Sequence, residues 1–188
     1  EGSANTAVGT QALLLNDTGY NNIAVGESTL RNNESGYRNV AIGFQPLMKN
    51  TEGYCNTAIG QHALYENLTG NNNVAIGRSS LRNTTGDQNI ALGSYSGDNI
   101  TSGSDNIIIG YSVDAASATG DNQLNIGDTI YGDLSTGRVG IGTDAPTALL
   151  HIQAAAATDA FQRVHADYNA TGISKAYTVY ATSGNVTS

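Results

Sequence analysis

A five-residue phrase recurs along this chain at an almost constant interval, and a fixed period of that length governs the fold before any residue propensity does. The phrase is Asn, a residue that is usually large and apolar, Ala, another large apolar residue, then Gly. It reads Asn5-Thr-Ala-Val-Gly9, and returns at Asn22, Asn39, Asn56, Asn73 and Asn89 before becoming Asn106-Ile-Ile-Ile-Gly110. Fainter copies end at Gly127 and Gly142. The phrase glycines stand 17 residues apart, except for 16 between Gly77 and Gly93 and 15 before Gly142. A second glycine row, Gly19, Gly36, Gly53, Gly70, Gly86, Gly103, Gly120 and Gly137, keeps the same period, so each repeat has two fixed corners.

Alternation of large and small residues between Asn and Gly predicts a short strand of period two. The larger side chains, Val8, Ile23, Val25, Val40, Ile42, Ile59, Val74 and Ile76, are expected to fill the interior of each coil. A leucine four residues after the phrase glycine, as Leu13, Leu30, Leu47, Leu64 and Leu81, is expected to enter the same interior from a second short strand. Runs such as Asn16-Asp17-Thr18-Gly19 read as turns. Seventeen residues make no independent unit, so the coils should stack as a solenoid, an all-β parallel roll. Stacking places Asn5, Asn22, Asn39, Asn56, Asn73, Asn89 and Asn106 in one amide ladder, and Tyr20, Tyr37 and Tyr54 in one aromatic stack.

Leu, Ile, Val and Phe make up only about a fifth of the 188 residues, near the lower edge for a packed globular core. A roll this thin is expected to gain stability by burying further surface between chains. The alanine row, Ala7, Ala24, Ala41, Ala58, Ala75 and Ala91, is small enough to admit a neighbouring backbone, and is assigned here as the seam of a homo-oligomer.

The phrase, followed by two residues, then Ala, Ser or Thr and then Leu, resembles the head repeats of YadA-like trimeric adhesins and the related repeats of phage tail fibres. The resemblance covers roughly residues 4–127. The run Gly137-Arg-Val-Gly-Ile-Gly-Thr-Asp-Ala-Pro-Thr-Ala-Leu-Leu-His-Ile152 resembles an element that often closes such shafts. It implies a homotrimeric, left-handed β-roll; neither trimerisation nor handedness follows from the spacing. The 17-residue coil is longer than is usual in adhesin heads, and the leucine row ends after Leu81, with Gly97 and Asp114 in its place, so the last coils are expected to be irregular. The expected organisation is a repeat shaft over 1–142, a closing connector over 143–152 and the start of a distal β-rich module over 153–188. The chain starts at Glu1 within the repeat pattern, which reads as a piece of a longer protein.

No constellation calls for catalysis or a cofactor. Gly140-Ile-Gly142-Thr-Asp-Ala145 matches a nucleotide-binding string but has no helix pattern behind it. His62, His151 and His165 stand in unrelated settings, and the single cysteine, Cys55, cannot form an internal disulfide or a multi-thiolate site. Asp87, Asp105 and Asp121 lie near corner glycines, but a calcium-binding nonapeptide is missing, so no metal site is assigned. Sequons at Asn16, Asn33, Asn67, Asn83 and Asn99 read as turn chemistry, because Asn50 keeps the position without the sequon. A tailspike-like glycan hydrolase would need paired carboxylates, for which Glu34 with Glu52 or Asp105 with Asp121 are the candidates, yet the acidic rows are patchy. Regular Thr rows for ice binding are absent.

Eight Lys and Arg stand against 16 Asp and Glu, a net charge of −8, and the cations form no run, which disfavours nucleic acid and anionic membranes as partners. No apolar stretch is long enough to insert in a bilayer. The expected function is therefore structural and non-enzymatic. The chain reads as the extracellular shaft of a trimeric fibre presenting a distal module to a cell-surface glycan or protein receptor, as in a phage tail fibre, with a bacterial surface adhesin as the alternative.

Overall fold

The computed structural model describes residues 2–153, in which all regular structure is β: eleven strands form one sheet in chain order. They are β1 (Thr6–Val8), β2 (Ile23–Val25), β3 (Val40–Ile42), β4 (Thr57–Ile59), β5 (Val74–Ile76), β6 (Ile90–Leu92), β7 (Ile107–Ile109), β8 (Gln123–Ile126), β9 (Ile130–Asp133), β10 (Arg138–Ile141) and β11 (Leu150–Ile152). Strands β1 to β8 pair in parallel with each phrase in register on the next, as in Ala24 opposite Ala41 and Ala41 opposite Ala58. The chain is thus a β-solenoid. Coils 1 to 7 are counted here from Asn5, Asn22, Asn39, Asn56, Asn73, Asn89 and Asn106.

Each coil closes because its turns use backbone that L-residues seldom adopt. The phrase glycine takes φ near 130°, and at Gly60 a Cβ would stand 2.6 Å from the Gly77 carbonyl oxygen, so side chains are excluded there. In coils 1 to 6 three further positions per coil lie in the left-handed region, in coil 2 Ser28 (53°), Leu30 (50°) and Arg38 (55°). The expected second strand is absent from the described coils. The leucines reach the interior from a left-handed turn, whose backbone still bonds coil to coil, as in Leu30 N–H to Pro46 O (3.1 Å) and Leu47 N–H to Ala63 O (3.0 Å).

The two faces of the strand are the reverse of the expectation. Ala24, Ala41, Ala58, Ala75 and Ala91 are fully buried inside the chain's own roll against Leu30, Leu47, Leu64 and Leu81. They cannot be a seam between chains. Val8, Ile23, Val25, Val40, Ile42, Ile59, Val74 and Ile76 instead line the outside, half-buried or exposed. The reason is volume: the leucine occupies the interior, and the facing strand position has room only for Ala. In the outermost coil Ala7 is exposed and Leu13 only partly buried, since the stack covers them on one side.

Where the leucine row stops, the interior repacks. A Cβ on Gly97 would sit 3.1 Å from Leu81 and 3.5 Å from Ile108, and the space is filled by the fully buried Ile100 and Ile108, the latter in the place of Ala. One coil on, Asp114 replaces the leucine, Val113 and Ala115 are buried, and Asn125 takes the inward strand position, donating to Asp114 O (2.8 Å) and the Asp128 carboxylate (2.8 Å).

The shaft assigned to 1–142 is not solenoid throughout. β9 runs antiparallel to both β8 and β10, so the phrase ending at Gly142 belongs to a meander, and the segment 143–152 contributes β11, parallel to β10. Gly127 and Asp128 both have positive φ, which reverses the chain after β8 within three residues. The β-rich module expected over 153–188 lies, but for Gln153, outside the described residues.

Candidate functional site: an apolar stripe on the strand face

A three-residue strand with its middle side chain turned inward presents its first and third side chains outward. Stacking in register turns these into two columns. One runs through Ile23, Val40, Thr57, Val74, Ile90 and Ile107, the other through Val25, Ile42, Ile59, Ile76, Leu92 and Ile109. No outward residue of β1 to β7 is charged. Ile23 is 42% exposed and Ile76 40%. Seven strands at about 4.8 Å make the stripe about 29 Å long, a continuity of exposed apolar side chains unusual on a soluble monomer.

The rest of the coil satisfies its own polar groups. From Asn22 onward the phrase asparagines are buried, and each bonds backbone on both sides: Asn39 Nδ2 donates to Gly53 O (2.8 Å) while Asn39 Oδ1 accepts from Asn56 N–H (2.9 Å). Direct amide-to-amide bonds are added at the far end, Asn89 to Asn73 (3.2 Å) and Asn106 to Asn89 (3.0 Å). A second ladder, not foreseen from sequence, runs through the turn asparagines: Asn33 to Asn16 (2.7 Å), Asn50 to Asn33 (2.8 Å) and Asn67 to Asn50 (2.9 Å). It ends at Thr84, leaving the buried Asn67 Oδ1 without a partner. The sequon asparagines Asn33 and Asn67 are therefore themselves fully buried, although the turn residues after them are exposed. Tyr20, Tyr37 and Tyr54 stack with centroids 4.9 and 4.8 Å apart.

The residues weighed for chemistry are scattered. Asp87 and Asp121 each accept a backbone N–H from the preceding coil, from Asn71 (2.7 Å) and Ser104 (2.7 Å). His62 pairs with Gln45 (3.1 Å), and His151 Nδ1 accepts from Thr147 N–H (3.4 Å); His165 lies outside the described residues. Gly140-Ile141 ends β10, and no helix follows it among the described residues. Among these residues no group of three or more His, Cys, Asp or Glu is arranged to hold a metal ion, and no helix is long and apolar enough to cross a membrane. A cleft of about 140 Å³ beside β8 and β9, bordered by Leu124, Tyr131, Asp121, Asp133 and Asp144, is small beside the roughly 300–1,000 Å³ of ordinary ligand pockets.

No family model, curated protein or solved structure matches the chain.

Proposed function

We propose that this chain forms the shaft of a homotrimeric extracellular fibre, a left-handed β-roll whose three copies meet along the Val/Ile stripe, and that the fibre presents a module beyond residue 152 for attachment to a host or target cell surface. The observation that carries the reading is the stripe itself: an uncharged apolar strand face repeated over seven coils, left bare by the fold of one chain. Covering it between chains supplies the apolar burial that a roll with one Leu and one Ala per coil lacks. The alanine seam is replaced by this face; the trimer and the handedness rest on the resemblance to adhesin and tail-fibre repeats. Stacked coils suit a shaft because they add length without enlarging the core, and each coil covers the strand edge of the one before.

Light scattering of the purified chain tests the assembly. Three times the 19.4 kDa chain mass supports the fibre. A stable 19.4 kDa species would remove its basis.

A further inference from the structure

Three of the eight Lys and Arg of this acidic chain gather on one wall of coils 3 to 6 among the aromatic residues Phe44, Tyr65 and Tyr95. Lys49 Nζ lies 5.4 Å and the Arg82 guanidinium 5.8 Å from the Tyr65 ring centre, and the Arg78 guanidinium lies 5.2 Å from that of Tyr95. His62 joins the group, edge-on to Tyr65 at 5.2 Å and tilted against Phe44 at 5.6 Å. Phe44 is 40% exposed, and both arginines are exposed.

The charges on this wall are not balanced. Lys49 is held by Glu66 at 2.7 Å, the sole ion pair among the described residues, so neither arginine has a carboxylate partner there. Partial burial of the ring, followed by the Arg82 and then the Arg78 guanidinium, pushes the His62 imidazole below its ordinary pKa. Two unpaired planar guanidiniums offer bidentate donors to a carboxylate or similar oxyanion. The exposed Phe44 ring and the half-buried Tyr65 beside them offer apolar surface on which the C–H face of a sugar can lie, with Gln45 nearby as a hydrogen-bonding amide.

We propose that the Arg78–Arg82 wall is a binding site for an acidic oligosaccharide, its carboxylate held by the arginines and its rings packed on Phe44 and Tyr65. The site spans about three coil spacings, about 14 Å, and so fits a short oligosaccharide rather than a single ion. A phosphate polymer is a poorer fit: its backbone asks for a run of cations, and the chain carries a net charge of −8. The proposal goes beyond the fibre reading, which leaves recognition to the segment after residue 152, and places a saccharide contact on the shaft.

Calorimetric titration of the whole chain with trigalacturonate, and with neutral maltotriose and oligothymidylate as comparisons, tests it. Binding of trigalacturonate alone is expected, weakened about tenfold or more in an Arg78→Gln/Arg82→Gln double variant whose melting temperature is unchanged. An Arg78→Lys/Arg82→Lys variant, which keeps the charge and loses the fork, should bind at an intermediate level, and serves if the Gln variant is unstable. No binding of trigalacturonate, equal binding of maltotriose or oligothymidylate, or indifference to both variants would overturn the site. Light scattering of the same samples separates this from the fibre reading, since the trimer can stand while saccharide binding fails, and the reverse.

Discussion

The backbone N–H of Asn39 donates to the side-chain oxygen of Asn22, one coil away, at 3.0 Å, and the same donor–acceptor relation repeats from Asn5 to Asn106. The side chain thus replaces the strand as the link between coils at a point where the backbone turns. Its replacement should be costly. In Asn39→Ala, the Asn56 N–H loses its side-chain partner, while the Gly53 carbonyl keeps the Asn50 amide at 3.1 Å. At about 1–3 kcal/mol for one buried group left unmade, a loss of about 1–3 kcal/mol is expected in urea unfolding. A loss below about 1 kcal/mol would mean that water replaces the amide and that the ladder is not a structural element.

Ala41 and Ile42 are neighbours with opposite fates, one fully buried within the chain and the other 39% exposed, so substitutions at the two sites separate folding from assembly. Ala41→Leu overpacks the roll and should cost about 1–3 kcal/mol. Ile42→Asp with Ile59→Asp places charge on the outward stripe, and should abolish in light scattering the trimeric mass that the proposed fibre requires. If Ala41→Leu alone dissociated the assembly while the Asp pair left it intact, the interface would have to be sought away from the Val/Ile columns.

The period fixed the coil, the corners and the amide ladder because each follows from spacing alone. It could not fix which side of the strand is inside: Ile23-Ala24-Val25 has two faces under either choice, and the usual rule puts the larger side chains in. That rule fails here because Leu30 already fills the coil, a fact that emerges only when the turn around it takes a left-handed conformation. Leucine is not a residue type that signals positive φ, so the turn read as a strand. The meander of β8 to β10 was hidden in turn by Gly142, whose phrase sits near the period although its strand pairs with β9 in the opposite direction. The Arg78–Arg82 wall was illegible because its cation–ring pairs, Lys49 with Tyr65, Arg82 with Tyr65 and Arg78 with Tyr95, join residues 16 or 17 apart that meet only through stacking.

Cys55 occupies a left-handed position with φ 55°, in the column where Asn21, Asn72 and Asn122 have φ of 57°, 58° and 60°. Asparagine visits this region far more readily than cysteine. Its backbone N–H already bonds Tyr37 O at 3.0 Å, so the exchange leaves the coil contact intact. Cys55→Asn should therefore stabilise the chain by about 0.5–1 kcal/mol, read as a raised urea midpoint at unchanged slope. Destabilisation would show that the half-buried thiol makes packing contacts that outweigh the backbone preference.

Asp114 marks the point where the apolar interior gives out, and its carboxyl is pushed above the ordinary value by partial burial and then by Asp98, with Asp128 adding to this and a hydrogen bond from the Asn99 backbone opposing it. An acid whose folded-state pKa is raised binds its proton more tightly when folded. Its ionisation therefore costs stability, which is fully present below the unfolded-state value near 4 and is lost as pH rises through the folded-state value. Asp114→Asn should raise the melting temperature at pH 7. The gain should shrink as pH falls through the Asp114 titration and vanish below about pH 4. A gain that is constant across that range would assign the effect to the shape of the side chain, and a gain that grows toward acid pH would reverse the sign of the coupling among Asp98, Asp114 and Asp128.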